Sequence, residues 1–279
     1  MPVAYLNGDF MPLAEARISP LDRGFTFGDG VYEVIPVYSR KPFLLDRHIR
    51  RLSNSLDRIY MNNPLRYPEW ESILHDLIAQ NEGDDQSIYL QITRGVSTRD
   101  HAIPDGILPT IFITSKPLHK PDYSQGISAI TRMDIRWDWC DIKAITLLPS
   151  VLLRHEANQA GAREAVLVRD GLATEGAASN LFICKNEEIK TPPKSNSILP
   201  GITRDLVIEL LQQKNMPCIE ASITKTELFQ ADEVWLTSST QEIIPVIQLD
   251  GQPVGTGVPG PLWRKVLEFY QEYKHQLQE

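Results

Sequence analysis

The stretch KPLHKPD, with prolines at 117 and 121, separates two runs of different hydrophobic pattern, and any fold for this chain has to respect that break. Before it, VAYLNGDFMPL reads as two short strands around an Asn-Gly turn. GDGVYEVIPVYSR then alternates, with Tyr32, Val34 and Pro36 on one face and Val31, Glu33 and Ile35 on the other. Pro36 suggests a strand edge or a bulge. Ile49, Leu52, Leu56 and Ile59 recur at helical spacing, as do Trp70, Ile73, Leu74, Leu77 and Ile78. Strands at SIYLQITRG, TIFITSK and GISAITRMDI follow, so the first part is expected to be an α+β unit with helices on a mainly antiparallel sheet. Beyond the break come further strands, a helix from about Pro149, a hairpin at VRDGLAT, a helix after LPGITRD and a terminal helix from Pro261: a second, α/β body. The expected division is a small domain at 1–116, a linker at 117–122 and a larger domain at 123–279.

Charge and cysteine usage narrow the function classes. A net charge of -8, without a long basic tract, argues against a nucleic-acid partner. Cys140, Cys184 and Cys218 are odd in number and lack CxxC spacing, which speaks against a disulfide framework or a zinc site and fits a reducing cytoplasm. The longest uncharged apolar run is about half of the roughly 20 residues a membrane span needs, so no membrane association is expected. Two motifs fail on context. GTGVPG at 255–260 matches GxGxxG by letter, but the chain ends before a βαβ unit can follow. His155-Glu156 lacks the second histidine of HExxH.

The residues that invite chemistry are scattered. Lys143 borders a run, Ala144 to Leu153, in which no side chain is charged and which reads as core. Burial disfavours the charged form of an amine, and a neutral amine forms a Schiff base with a carbonyl compound; a lysine can also lay its stem over apolar surface and keep its head wet. Glu175, in GLATEGAASNLF, sits beside small residues that let a flat ring approach, although a glutamate next to a glycine turn is commonly a solvated one. Gly201 and Thr203 open a helix whose start suits an anion, and Thr237 to Thr240 supply four hydroxyls at a strand end. An amine for an aldehyde, an acid for a ring nitrogen and donors for a phosphate are together the requirements of pyridoxal phosphate.

The order Lys143, Glu175, LPGITR and TSST, with RGFTFGDGVYE and HIRRL near the start, closely resembles the class IV, or fold type IV, aminotransferases along nearly the entire chain. The resemblance implies a two-domain fold with the cofactor at the interface, and Lys143 as covalent anchor and proton shuttle. It makes Glu175 the partner of the pyridine nitrogen and Leu199 the apolar residue under the ring. Arg51, Ile202, Thr203, Ser239 and Thr240 become phosphate ligands, with no metal required.

Within the family, Arg99 and His101 in TRGVSTRDHA resemble the carboxylate trap of D-amino-acid aminotransferases, completed by Tyr32. In those relatives the arginine and histidine serve the neighbouring subunit's site, so a homodimer with shared active sites is implied. The implied reaction moves the amino group of D-alanine-like D-amino acids to 2-oxoglutarate or another α-keto acid by a ping-pong course. Aminodeoxychorismate lyase and branched-chain L-amino-acid aminotransferase are the alternatives within the same frame. The chain departs from the bacterial D-amino-acid enzymes at Ala177 and Ala178, where a run of serines is common, at Ser239, often threonine, and at Pro36, often a longer polar residue.

Overall fold

The computed structural model describes residues 1–119 and 122–277; of the expected linker at 117–122, residues 120 and 121 lie outside the described residues. The chain forms two compact units, one of Met1–His119 with Ile142–Thr146, the other of Lys120–Asp141 with Leu147–Glu279. The second unit is thus not one continuous piece from residue 123. Ile142–Thr146 belongs to the first unit because its backbone adds to the end of a strand there: Ala144 bridges Val31, Tyr32 N donates to Lys143 O at 2.9 Å, and Ile145 N to Gly30 O at 3.1 Å.

In the first unit β1 (Val3–Leu6), β2 (Asp9–Pro12), β3 (Gly30–Tyr38), β4 (Lys41–Pro42), β5 (Gln86–Thr93) and β6 (Thr110–Pro117) form an antiparallel sheet in the order β2-β1-β6-β5-β3-β4. The short helix α1 (Arg23–Phe27) is capped by Asp22, whose side chain accepts from Gly24 N. Helices α2 (Leu45–Arg58) and α3 (Tyr67–Gln80) bury the faces their spacing predicts. Leu52, Leu56, Trp70, Leu74 and Leu77 join Ile35, Ile88, Leu90 and Ile113 in one core, each large apolar side chain contributing about 1.5–3 kcal/mol. Pro36 costs the sheet nothing. Its carbonyl accepts from Phe43 N, so its missing N–H faces away from β5, toward a side that only the two-residue β4 lines.

In the second unit β7 (Ile127–Met133), β8 (Glu164–Arg169), β9 (Leu172–Gly176), β10 (Asn180–Lys185), β11 (Glu188–Thr191), β12 (Cys218–Glu220), β13 (Ile223–Thr224), β14 (Glu233–Ser238), β15 (Glu242–Leu249) and β16 (Gln252–Pro253) build a mixed sheet. Its order is β12-β11-β10-β14-β15-β7-β8-β9-β13, with β16 on β15. The GISAITRMDI strand is β7 and belongs here, paired in parallel with β8 and β15, rather than to the first sheet. The β8–β9 turn has Asp170 and Gly171 at positive φ, as an Asp-Gly hairpin requires. Helices α4 (Leu148–Gln159), α5 (Ile202–Gln213), α6 (Lys225–Gln230) and α7 (Pro261–Gln276) complete the unit. Only one side of α4 is core: Leu153 and Ala157 pack on Ile130, Ala165 and Leu167, whereas Leu148, Val151 and Leu152 are exposed. The uncharged run 144–153 is therefore not core throughout, because α4 turns half of it to the surface of the chain.

Among the described residues no helix is long and apolar enough to cross a membrane.

Candidate active site

Within the first unit the chemistry gathers along β3, whose alternation sends Tyr32 to one face and Glu33 to the other. Lys143 sits alongside, between the buried Ile142 and Ala144. Its backbone is fixed at both ends, since its carbonyl accepts from Tyr32 N and its amide donates to Ser55 Oγ of α2 at 3.2 Å. Its ammonium nitrogen lies 4.1 Å from the Tyr32 ring centroid, the ring in turn stacked against Tyr89 at 5.8 Å.

Behind β3, Glu33 is fully buried and accepts three hydrogen bonds from α2: Arg51 Nε at 2.7 Å, Arg51 Nη2 at 2.8 Å and His48 Nδ1 at 2.8 Å. Burial alone would raise this carboxyl, but the Arg51 charge and hydrogen bonds, with His48, hold it well below the usual carboxylate range. His48 is pulled down by burial and by the Arg51 and Lys143 charges, against the upward pull of Glu33. Of the five N–H groups of Arg51, Glu33 takes two, which fixes the plane of the guanidinium. Sequence reasoning singled out Arg51 but not Glu33 or His48. The signal was there in the spacing: 48 and 51 share a helical face, and Glu33 alternates with Tyr32.

Tyr32, Arg99 and His101 are not brought together within this chain. Arg99 and His101 are exposed and pack on Phe27 of α1, the guanidinium carbon 5.1 Å and the imidazole 5.3 Å from its ring, and among the described residues no hydrogen bond or ring contact joins either to Tyr32.

Within the second unit Glu175 is the last residue but one of β9 and is 3% exposed. Its carboxylate accepts from Arg136 Nη1, from Asn180 Nδ2 at 2.8 Å and from Leu199 N at 3.1 Å. Burial pushes its pKa up to about 7, against the Arg136 charge and hydrogen bond and the Leu199 amide, with Asp134 adding to the rise. Since the folded chain then holds this proton above the pH at which an unfolded glutamate loses it, ionising Glu175 costs stability between about pH 4.5 and 7. The cofactor-free Glu175→Gln variant is therefore expected to gain stability relative to wild type across that window, by on the order of 3 kcal/mol, in urea titrations at pH 5 and 8. A difference independent of pH would contradict the shift.

Asn180, absent from the sequence-based candidates, ties the unit's functional elements together. Its Nδ2 also donates to Leu199 O at 2.8 Å, its backbone pairs with Thr237 across β10–β14, and its Oδ1 lies where a Cβ on Gly201 would collide with it. Gly201 is thus forced by close approach. It caps α5, whose first residues Ile202 and Thr203 are buried, and the amides of a first helical turn have no partner inside the helix. Ser239 and Thr240 form the half-buried β14–β15 turn, and Thr237 Oγ1 is buried without a hydrogen-bond partner among the described residues. Leu199 contributes its backbone as much as its half-buried side chain. Ser179 gives its hydroxyl to Glu164 at 3.2 Å.

Comparison with known proteins identifies the family. The model of class IV amino-transferases matches residues 30–249. This chain belongs to that family. It is 44% identical to a D-alanine aminotransferase of Bacillus licheniformis over 93% of each chain, and 37% identical to one of Staphylococcus haemolyticus over 98% of each. Among solved structures, the branched-chain aminotransferase of Thermoproteus uzoniensis with norvaline superposes with a TM-score of 0.90 at 27% identity, covering 96% of this chain and 93% of that one. The T.th. branched-chain amino acid aminotransferase with pyridoxamine 5'-phosphate does so at 0.90 and 27%, over 97% and 93%. The chain is a pyridoxal-phosphate enzyme of fold type IV, and the second unit offers groups that suit that cofactor: the buried Glu175 carboxyl and the Thr237 hydroxyl, which has no hydrogen-bond partner among the described residues.

Proposed function

We propose that this protein is a D-amino-acid transaminase, passing the amino group of D-alanine-like substrates to 2-oxoglutarate or a related α-keto acid. The observation that carries the reading is the 37–44% identity to D-alanine aminotransferases over nearly the full length, against 27–28% for the branched-chain enzymes whose fold it shares.

When bound, pyridoxal phosphate supplies an aldehyde that condenses with amines and a ring that accepts the electron pair released at Cα. Lys143 would hold the aldehyde, and its amine would carry the Cα proton. Glu175 is assigned to the ring nitrogen, Leu199 to the underside of the ring, and Arg51, Ile202, Thr203, Ser239 and Thr240 to the phosphate. Tyr32, Arg99 and His101 are assigned to the substrate carboxylate.

Because Arg99 and His101 are exposed and engage no hydrogen-bond acceptor among the described residues, the reading has them serve the site of a second copy. A homodimer is also favoured by the exposed apolar residues Leu148, Val151 and Leu152 on α4 and by Phe25, 78% exposed. Mixing two inactive variants tests this. Arg99→Ala and Lys143→Ala, refolded together, should recover roughly a quarter of wild-type activity, since half the dimers are mixed and each mixed dimer has one intact site. Activity that stays at the level of the separate variants would exclude a shared site.

The substrate assignment is tested by a panel of D- and L-amino acids with 2-oxoglutarate or pyruvate, following the cofactor absorbance. D-alanine is expected to be converted at least about a hundredfold faster than L-leucine. Conversion of L-leucine but not D-alanine would establish a branched-chain enzyme, and pyruvate release from aminodeoxychorismate without a keto acid would establish a lyase.

A further inference from the structure

Arg136 is the one cation in hydrogen-bond contact with Glu175 among the described residues, and it takes no part in the assignments above. It follows β7 in MDIRWDWC, 39 positions from Glu175. Its half-buried guanidinium donates through Nη1 to Glu175, through Nε and Nη2 to Asp134 at 2.9 Å each, and through Nη2 to Ser197 O at 3.2 Å. Asp134, whose side chain is fully buried, is also paired with Arg169 at 3.2 Å and accepts from the Thr174 hydroxyl at 3.3 Å. Arg169, Asp134, Arg136 and Glu175 therefore form a line of alternating charge. Arg136 cannot swing away from Glu175 without breaking two parallel bonds to a fixed carboxylate.

We propose that Arg136, anchored by Asp134, is a positioning residue that keeps the Glu175 carboxylate ionised and aimed, and so sets how firmly the cofactor's ring nitrogen is held protonated. This rests on the assignment of Glu175 to that nitrogen. The physical problem is that only an ionised carboxylate can retain a proton on a pyridine nitrogen, while burial drives a carboxyl toward its neutral form. Asn180 and the Leu199 amide are neutral donors, so they orient the carboxylate but bring no charge. The titratable and charged groups around Glu175 are Arg136 and Asp134, the Cys140 thiol further along the same segment, and Arg169 acting through Asp134. Arg136 alone among them contacts Glu175 with a favourable charge; Asp134 opposes it but in exchange fixes the arginine.

The test follows the Glu175 carboxyl itself, by carbon-13 chemical shift or isotope-edited infrared titration of the full chain without cofactor, and then the pH dependence of the cofactor's visible absorbance in the loaded enzyme. In Arg136→Met the Glu175 midpoint should rise by at least about one pH unit, with Arg136→Lys restoring most of the shift. In the loaded enzyme the absorbance transition should move the same way, and kcat at pH 8 should fall about two- to tenfold, in line with the fraction still ionised, while KM for the amino donor holds. Should Arg136→Met fail to fold, Arg136→Gln, which keeps hydrogen-bond donors for Asp134 but carries no charge, tests the same coupling, and the midpoint should rise in it likewise. A midpoint unmoved in Arg136→Met, or in Arg136→Gln where that variant stands in, overturns the proposal. If the carboxyl midpoint moves but the absorbance does not follow, and Glu175→Gln also leaves the absorbance untouched, the assignment of Glu175 to the ring nitrogen fails instead.

Discussion

Replacing Lys143 with alanine is expected to reduce transamination by at least about 10⁴-fold, the upper range for loss of a positioned acid/base, since the proposed role of covalent anchor would go with it. The structure gives two reasons why no other lysine should substitute. Lys143 is held by backbone bonds on both sides, to Tyr32 N and Ser55 Oγ, so its side chain leaves from a fixed point next to a tyrosine ring. Lys185, Lys190, Lys194 and Lys274, by contrast, are committed to ion pairs with Asp232, Glu227, Asp205 and Glu242. Borohydride reduction followed by peptide mapping should therefore label Lys143 alone in the wild type and nothing in Lys143→Ala. If the defect is in proton transfer, small primary amines added to the variant should restore part of the rate. A variant within tenfold of wild type, or a label on another lysine, would remove the basis of the mechanism.

What could be read from the sequence, and what could not, divides along the range of the interactions. The helical faces of α2 and α3 and the Asn-Gly and Asp-Gly hairpins depend on residues a few positions apart, and the structure follows them closely. The family was legible too, because Lys143, Glu175, LPGITR and TSST keep their order along the chain. The placement of Lys143 was not, since Ile142–Thr146 joins β3 through a backbone bridge between positions 31 and 144, which no local pattern encodes. Arg136 and Asn180 were missed for the same reason: an arginine after a strand and an asparagine after small residues acquire meaning only when Glu175 is folded against them. The uncharged run 144–153 was misread as core because apolarity does not reveal whether a face meets the chain's own interior or lies at its surface.

The largest stability effect is expected at Glu33. Replacing it with leucine should destabilise the cofactor-free protein by about 3–5 kcal/mol at pH 7, the usual cost of leaving a buried charge uncompensated. The leucine fills a similar volume, so the penalty comes from the groups left behind. Arg51 loses two hydrogen bonds in a site where it is 7% exposed, and His48, 1% exposed, loses the acceptor at its Nδ1. The pH dependence distinguishes this from a packing defect. Glu33 is held below the usual carboxylate range, so the stability it contributes is fully present above the pKa of an unfolded glutamate, about 4.3, and fades as pH falls toward its own depressed value. The gap between wild type and Glu33→Leu should accordingly narrow on acidification below about pH 4, read from urea midpoints at pH 7, 5 and 3.5. Glu33→Gln, which keeps an acceptor but not the charge, should fall between the two. A gap constant across this range would mean that the ion pair contributes nothing beyond shape, and Arg51 would then be positioned by α2 alone.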